Sequence, residues 1–166
     1  LLFVHSNLRA LASARELVRF PNAGADMAID ALLNSVGSEG TLVVPTLTAT
    51  YAPDTNGPSG KVFDPGETPS RVGSITNLVR ERNGAVRSHH PSHSVTAVGR
   101  LAHEYTAGHE LSSTCGWDSP YGRTVKWDGY ILYFGTTTTT KTHIHGVEDW
   151  MGLPYMVDTW CLAKGL

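Results

Sequence analysis

Two short segments of this chain carry the residue types suited to acid–base chemistry. His89-His90-Pro91-Ser92-His93-Ser94 sets three histidines within five residues. Imidazole is the side chain best matched to proton transfer near neutral pH. Thr142-His143-Ile144-His145-Gly146-Val147-Glu148 sets His145 and Glu148 three residues apart, so a helix would place both on one face. A carboxylate beside an imidazole fixes its tautomer and stabilises its protonated form. Each segment alone also has a plain explanation: a polar turn whose histidines meet solvent, and a surface ion pair worth under ~1 kcal/mol. Taken together, the histidines and the carboxylate also suit a zinc-dependent hydrolase. Neither Cys115 nor Cys161 has ligand spacing and no HExxH occurs, so no metal is expected.

Other chemistries find less support. No GxxxxGK[ST] or GxGxxG string is present, which argues against nucleotide-triphosphate and dinucleotide sites. Cys115 could pair with His93 or His145 as a nucleophile, but no basic residue near it in Ser112-Ser113-Thr114-Cys115-Gly116-Trp117 would lower its pKa. It reads as a packed thiol.

The elements that must position these groups follow from hydrophobic period. Residues 1–5 read as a buried strand, and Met27, Ala28, Ala31, Leu32 and Val36 mark a helix over Asp26–Val36 that Gly37 stops. Thr41–Thr48 is a second strand, which Pro45 should end or bulge. Residues 51–73 hold four prolines and four glycines and read as a long loop. Ser74 is expected to cap a helix running to Arg82, and strands over 85–88 and 94–99 flank the histidine turn. Short helices over 101–107 and Ser119–Lys126, a strand over Tyr130–Gly135 and a helix over Thr142–Met151 complete the series. This alternation predicts an α/β fold with a central mixed, partly parallel sheet flanked by helices.

The 166 residues, 40% hydrophobic and 17% charged, fit one globular domain with a real core. A formal net charge of -2 argues against a nucleic-acid partner. No apolar run approaches the ~20 residues of a membrane span, and Leu1–Val4 is too short for a signal peptide. A cytoplasmic protein with two free thiols is expected. Leu1 opens directly in a strand pattern, so a truncated chain is expected too.

Several strings occur in an order that resembles the aminoglycoside 3-N-acetyltransferase (antibiotic N-acetyltransferase) family. They are His5-Ser6-Asn7-Leu8-Arg9-Ala10-Leu11, Asp30–Leu33 with Val36-Gly37 and Gly40–Thr46, and Phe63-Asp64-Pro65 with Thr68-Pro69-Ser70-Arg71. Arg87-Ser88 with His90–Val95, Thr106–His109 and Ser119–Arg123 extend the series along nearly the whole chain. The resemblance implies acetyl-coenzyme A as donor and the 3-amino group of a 2-deoxystreptamine aminoglycoside as acceptor. It implies that His93 activates the amine as general base, with His145 and Glu148 on the family's His-x-x-Glu pattern. It places Ser6, Asn7, Arg9, Ser70 and Arg71 around coenzyme A. A polycationic acceptor needs an acidic pocket, for which Asp54 and Asp64, with Tyr51, are the candidates, and Asp118 and Asp149 lie in similar loops. The chain departs from the family at Asn7, where a second serine is usual, and in the run Thr136–Thr140. Residues 1–166 would then be a single acetyltransferase-like domain lacking N- and C-terminal segments of the family. The competing expectation is a non-catalytic relative that binds coenzyme A or a cationic ligand.

Overall fold

The computed structural model describes residues 1–11, 21–50, 60–155 and 161–165. Strand β1 (Leu2–Ser6) runs parallel to β2 (Thr41–Pro45) on one side and to β6 (Tyr130–Phe134) on the other. Strand β5 (Val95–Gly99) pairs antiparallel with β2, and the short β4 (Val86–Arg87) pairs antiparallel with β5. The order is β4-β5-β2-β1-β6, a mixed and partly parallel sheet, as the sequence predicts. Two further strands, β3 (Val62–Phe63) inside the segment that reads as a long loop and β7 (Leu162–Ala163), form a separate parallel pair.

Alternation along each strand divides the side chains between two layers. Val4, Leu42 and Val44 pack on one face against Ala25, Ile29 and Leu32 of helix α1 (Pro21–Val36) and Ile75 and Val79 of α2 (Ser74–Arg80). Phe3, Val43, Val95 and Ala97 pack on the other face. They meet Ala102 and Tyr105 of α3 (Ala102–Thr106), Cys115, and Tyr121 of α4 (Pro120–Lys126). Leu42, Val43 and Val44 are wholly buried, which stabilises the central strand by about 1.5–3 kcal/mol for each side chain. The fifth helix, α5 (Ile144–Trp150), follows β6.

Helix boundaries differ from expectation for local reasons. Helix α1 runs over Pro21–Val36, and proline is tolerated at a first helical position. Ser74 lies inside α2. The N-cap is Gly73 at φ 122, a conformation an L side chain rarely adopts, and no side chain caps there. Asn77 instead ties the entry to the helix, accepting from Ser70 N–H and donating to Ser70 O. Ser119 does cap α4, accepting from Gly122 N–H at 3.4 Å.

The topology brings several chain segments to one edge. Strands β1, β2 and β6 are parallel, so their C-terminal ends lie together. Strand β5 is antiparallel, and the pair Pro45↔Val95 puts its N-terminal end there too. The segment after Ser6, the segment after Pro45, the His89–Ser94 turn and the link from β6 to α5 therefore share that edge, the usual ligand side of an open α/β sheet.

Arg87 stitches this edge together. Its Nε donates to Ser94 Oγ at 3.0 Å, Nη2 to Thr46 O at 3.0 Å, and Nη1 to Pro65 O at 3.2 Å and to Thr68 O. Burial pulls its pKa down to about 10, and it stays charged at neutral pH. Replacing Arg87 with Met leaves these acceptors unpaired, and hydrogen bonds to a charged donor contribute about 1.5–3 kcal/mol each. We expect Arg87→Met to lose about 3 kcal/mol or more in urea unfolding, with Arg87→Lys only partly restoring it because an ammonium lacks the planar fork. A loss under about 1 kcal/mol would contradict this account.

Candidate active site

The histidine turn is folded around its own imidazoles. His90 Nδ1 accepts the backbone N–H of Ser92 at 3.3 Å and of His93 at 3.1 Å. Ser92 Oγ lies 2.9 Å from His93 Nδ1. Tyr121 in α4 donates its hydroxyl to His93 O at 3.1 Å, and the Thr48 and Thr50 hydroxyls bond Pro91 O. These contacts hold the turn against both the sheet edge and the helical layer.

Helix α5 brings the second segment. His145 Nδ1 is 2.6 Å from Glu148 Oε2, with the side chains 50% and 21% exposed. Gly146 lies flat on the Cys115 loop, where a Cβ would come within 2.4 Å of Cys115 O. Ser113 Oγ donates to Asp149 Oδ2 at 2.6 Å and anchors the same helix. The outcome is that the His93 and His145 rings stand 6.5 Å apart and nearly perpendicular, at 81°. The two segments singled out in the sequence thus converge.

Behind them the imidazoles continue inward. His90 lies 6.2 Å from His93, and His109 lies 4.5 Å from His90. Tyr121 separates His109 from His143, and His143 lies 5.8 Å from His5. Burial drives the His5, His90 and His93 pKa values down to about 4 and that of His143 to about 3, and pushes His109 well below its ordinary range. All five are neutral at neutral pH, so the turn is not a solvated polar loop. His109 Nε2–H donates to Thr114 O at 2.9 Å, and its Nδ1 accepts from Ser88 Oγ at 2.8 Å, while Ser88 Oγ accepts from Val95 N–H. That makes His109 a structural strut.

At the rim the balance reverses. Glu148 is held below the ordinary carboxylate range by hydrogen bonds from His145 and Tyr155, so it is ionised at neutral pH. An ionised carboxylate only accepts, so the His145 Nδ1 in contact with it carries a proton, and in the neutral ring Nε2 is then the acceptor. Cys115 is buried among apolar groups near Asp149 and Glu148, which push its thiol far up, so it is no thiolate nucleophile.

The remaining predicted residues are placed less centrally. Ser6 ends β1 at the site edge, and Asn7 and Arg9 follow it, exposed, with Asn7 Oδ1 accepting from Arg9 N–H at 3.2 Å. Arg71 is exposed ahead of α2 and its N–H donates to Leu47 O at 2.8 Å. Ser70 is buried, its hydroxyl accepting from Thr76 Oγ1 at 2.8 Å within the α2 entry. Asp64 pairs with Lys164 at 2.9 Å and caps a turn through Gly66 N–H. Asp118 pairs with Lys126 at 2.7 Å. Tyr51 and Asp54 lie outside the described residues. Among the described residues no group of three or more His, Cys, Asp and Glu could hold a metal, and no helix is long and apolar enough to cross a membrane. Sequence reading missed Ser92 and His90 as positioning groups, although their place between and beside histidines was visible.

The family sequence profile described as Aminoglycoside 3-N-acetyltransferase matches residues 3–162. The chain belongs to this family. It is 30% identical over 166 residues to aminoglycoside N(3)-acetyltransferase III of a Salmonella species, spanning 93% of this chain and 56% of that protein. Among solved structures it is similar to AAC-IIIb in a binary complex with CoASH, with TM-score 0.74 and 25% identity over 89% of this chain and 57% of that one. AAC-VIa bound to sisomicin gives TM-score 0.73 and 26% identity over 89% and 57%.

In this acetyltransferase-family chain the buried imidazoles make stability acid-sensitive. Their folded pKa values lie below the ~6.5 of an unfolded histidine. As pH falls, the unfolded chain binds protons first, so stability is full above about pH 6.5 and is lost towards pH 4. Each such histidine contributes a slope of about 1.4 kcal/mol per pH unit inside that window. We expect the thermal midpoint to fall from pH 7.5 to pH 5, and His90→Asn, whose amide oxygen can accept in place of Nδ1, to flatten the fall. Equal midpoints at the two pH values would refute the neutral-imidazole assignment.

Proposed function

We propose that the chain carries out acetyl transfer from acetyl-coenzyme A to the 3-amino group of a 2-deoxystreptamine aminoglycoside. Its similarity to AAC-IIIb, which holds CoASH, and to AAC-VIa, which holds sisomicin, supports both substrates. The observation that carries the reading is the His145–Glu148 hydrogen bond beside His93, at the edge where the parallel strands end. An amine that attacks a thioester must shed a proton as the amide forms. A base with a free lone pair, solvent access and a carboxylate to stabilise its cation meets that need.

The sequence points to His93 as that base, and we place the role on His145 instead. Glu148 bonds His145 and leaves its Nε2 free, whereas burial depresses His93 to about 4 and makes it a poor proton acceptor at neutral pH. Ser6, Asn7, Arg9 and Arg71 are proposed contacts for coenzyme A, with the exposed guanidinium groups suited to its phosphates. Ser70 acts there through the backbone it braces. Asp149, beside Glu148 on α5, is a proposed contact for a cationic amine of the acceptor, with Asp64 a more peripheral candidate and Asp54 and Tyr51 candidates from sequence alone. The proton route uses protein side chains alone. One acetyltransferase-like domain over residues 1–166, working in the cytoplasm, belongs to the same proposal.

Thiol release from acetyl-coenzyme A with a panel of aminoglycosides including sisomicin tests this. We expect turnover by the wild type, and His145→Gln or Glu148→Gln to lower kcat by ~10²–10⁴-fold while the KM for acetyl-coenzyme A moves far less. Coenzyme A binding without turnover on any acceptor would instead identify a non-catalytic relative.

A further inference from the structure

The hydrogen bonds of the histidine turn assign a proton position that the sequence does not. Ser92 is buried, and its hydroxyl hydrogen needs an acceptor. Two ring nitrogens are near: His93 Nδ1 at 2.9 Å and His90 Nδ1 at 3.4 Å. The His90 lone pair already faces two backbone N–H groups. The Ser92 hydroxyl therefore donates to His93 Nδ1, and neutral His93 carries its proton on Nε2. That Nε2 is not sealed from solvent and has no protein partner among the described residues. His145, its ring centre 6.5 Å from that of His93, has the opposite tautomer when neutral, because Glu148 holds its Nδ1–H. Two imidazoles at one site thus present a donor and an acceptor.

We propose that His93 is the hydrogen-bond donor that holds the thioester carbonyl oxygen as it becomes anionic, and that the Ser92 hydroxyl is the positioning residue that makes it a donor. This rests on the acetyl-transfer reading. The amine nitrogen attacks the carbonyl carbon, the C=O π pair moves onto oxygen, and His93 Nε2–H bonds that oxyanion. The amine proton passes to His145 Nε2. The C=O bond then re-forms, the C–S bond breaks, and the coenzyme thiolate takes the proton back from His145. A donor aimed at developing charge contributes roughly 10²–10³-fold to kcat.

The test separates donor from base. Glutamine at position 93 can place an amide N–H near the Nε2 position but has no basic lone pair there. We expect His93→Ala to lower kcat roughly 10²–10³-fold with acetyl-coenzyme A and sisomicin, and His93→Gln to stay within about tenfold of wild type. His93→Gln should keep the acid limb of the kcat/KM pH profile. Ser92→Thr should retain turnover that Ser92→Ala loses. Nitrogen-15 NMR of the wild type should show the His93 proton on Nε2, a readout independent of activity and of variant folding. Equal losses in folded His93→Gln and His93→Ala, or a proton on Nδ1, overturn the proposal while leaving acetyl transfer intact. A wild type with no turnover on any acceptor removes the acetyl-transfer reading, and this assignment with it.

Discussion

Imidazole can enter the layer between the sheet and α3–α5 only without its charge, and much of the site geometry depends on that constraint. A neutral ring has one lone pair and one N–H, so each buried histidine must be met by partners of matching sense. His109 fits between the Ser88 hydroxyl and Thr114 O. His90 gives its Nδ1 lone pair to two backbone N–H groups and so shapes the turn that carries His93. Protonating either ring would turn an acceptor into a second donor facing donors. The fold therefore suppresses protonation inside. Among the described residues it supplies a carboxylate partner to one imidazole, His145, at the exposed rim.

That arrangement depends in turn on strand direction. If β5 ran parallel to β2, its N-terminal end and the histidine turn would lie at the opposite edge from Ser6 and from the entry to α5. The antiparallel pair Pro45↔Val95 puts the turn beside the ends of β1 and β6. The helical layer then needs close backbone approach. Gly146 permits α5 to rest on the Cys115 loop, and Gly122 does the same for α4, where a Cβ would come within 2.1 Å of Trp117 O. A side chain at Gly146 would push α5, and His145 with it, off the Cys115 loop.

The major strands and helices were legible because apolar period reports burial directly. Phe3 and Val4 face opposite layers, as do Val43 and Val44, which is what alternation predicts. The β3–β7 pair was not legible, because two-residue strands carry no period and their partners are far apart in the chain. Ser74 looked like a cap from type and place alone. The structure leaves the cap to Gly73 because Asn77 fastens the loop from inside the helix. At the site, residue types and spacing identified the two segments that meet. The three-residue spacing also set Glu148 beside His145 on one helix face, where the structure has the 2.6 Å contact, but it did not show that His93 is the more buried of the two imidazoles.

Nor could spacing distinguish the two imidazoles chemically. A histidine in sequence is a donor or an acceptor at Nε2 depending on what touches Nδ1, and that contact exists only after folding. Ser92 shows how local the decision can be. It is adjacent to His93 in the chain, yet its hydroxyl is directed by a third residue, His90, whose lone pair is already occupied. Burial then protects the assignment, because a neutral ring has a tautomer to fix and a protonated one does not. The same exclusion of charge that makes His93 a weak base at neutral pH would keep it a defined donor in the proposed mechanism. In the proposed mechanism the carboxylate that supports His145 as base also fixes the neutral tautomer in which Nε2 accepts. On the proposed reading, buried hydroxyl against His93 and rim carboxylate against His145 divide one residue type into two complementary functions at rings 6.5 Å apart.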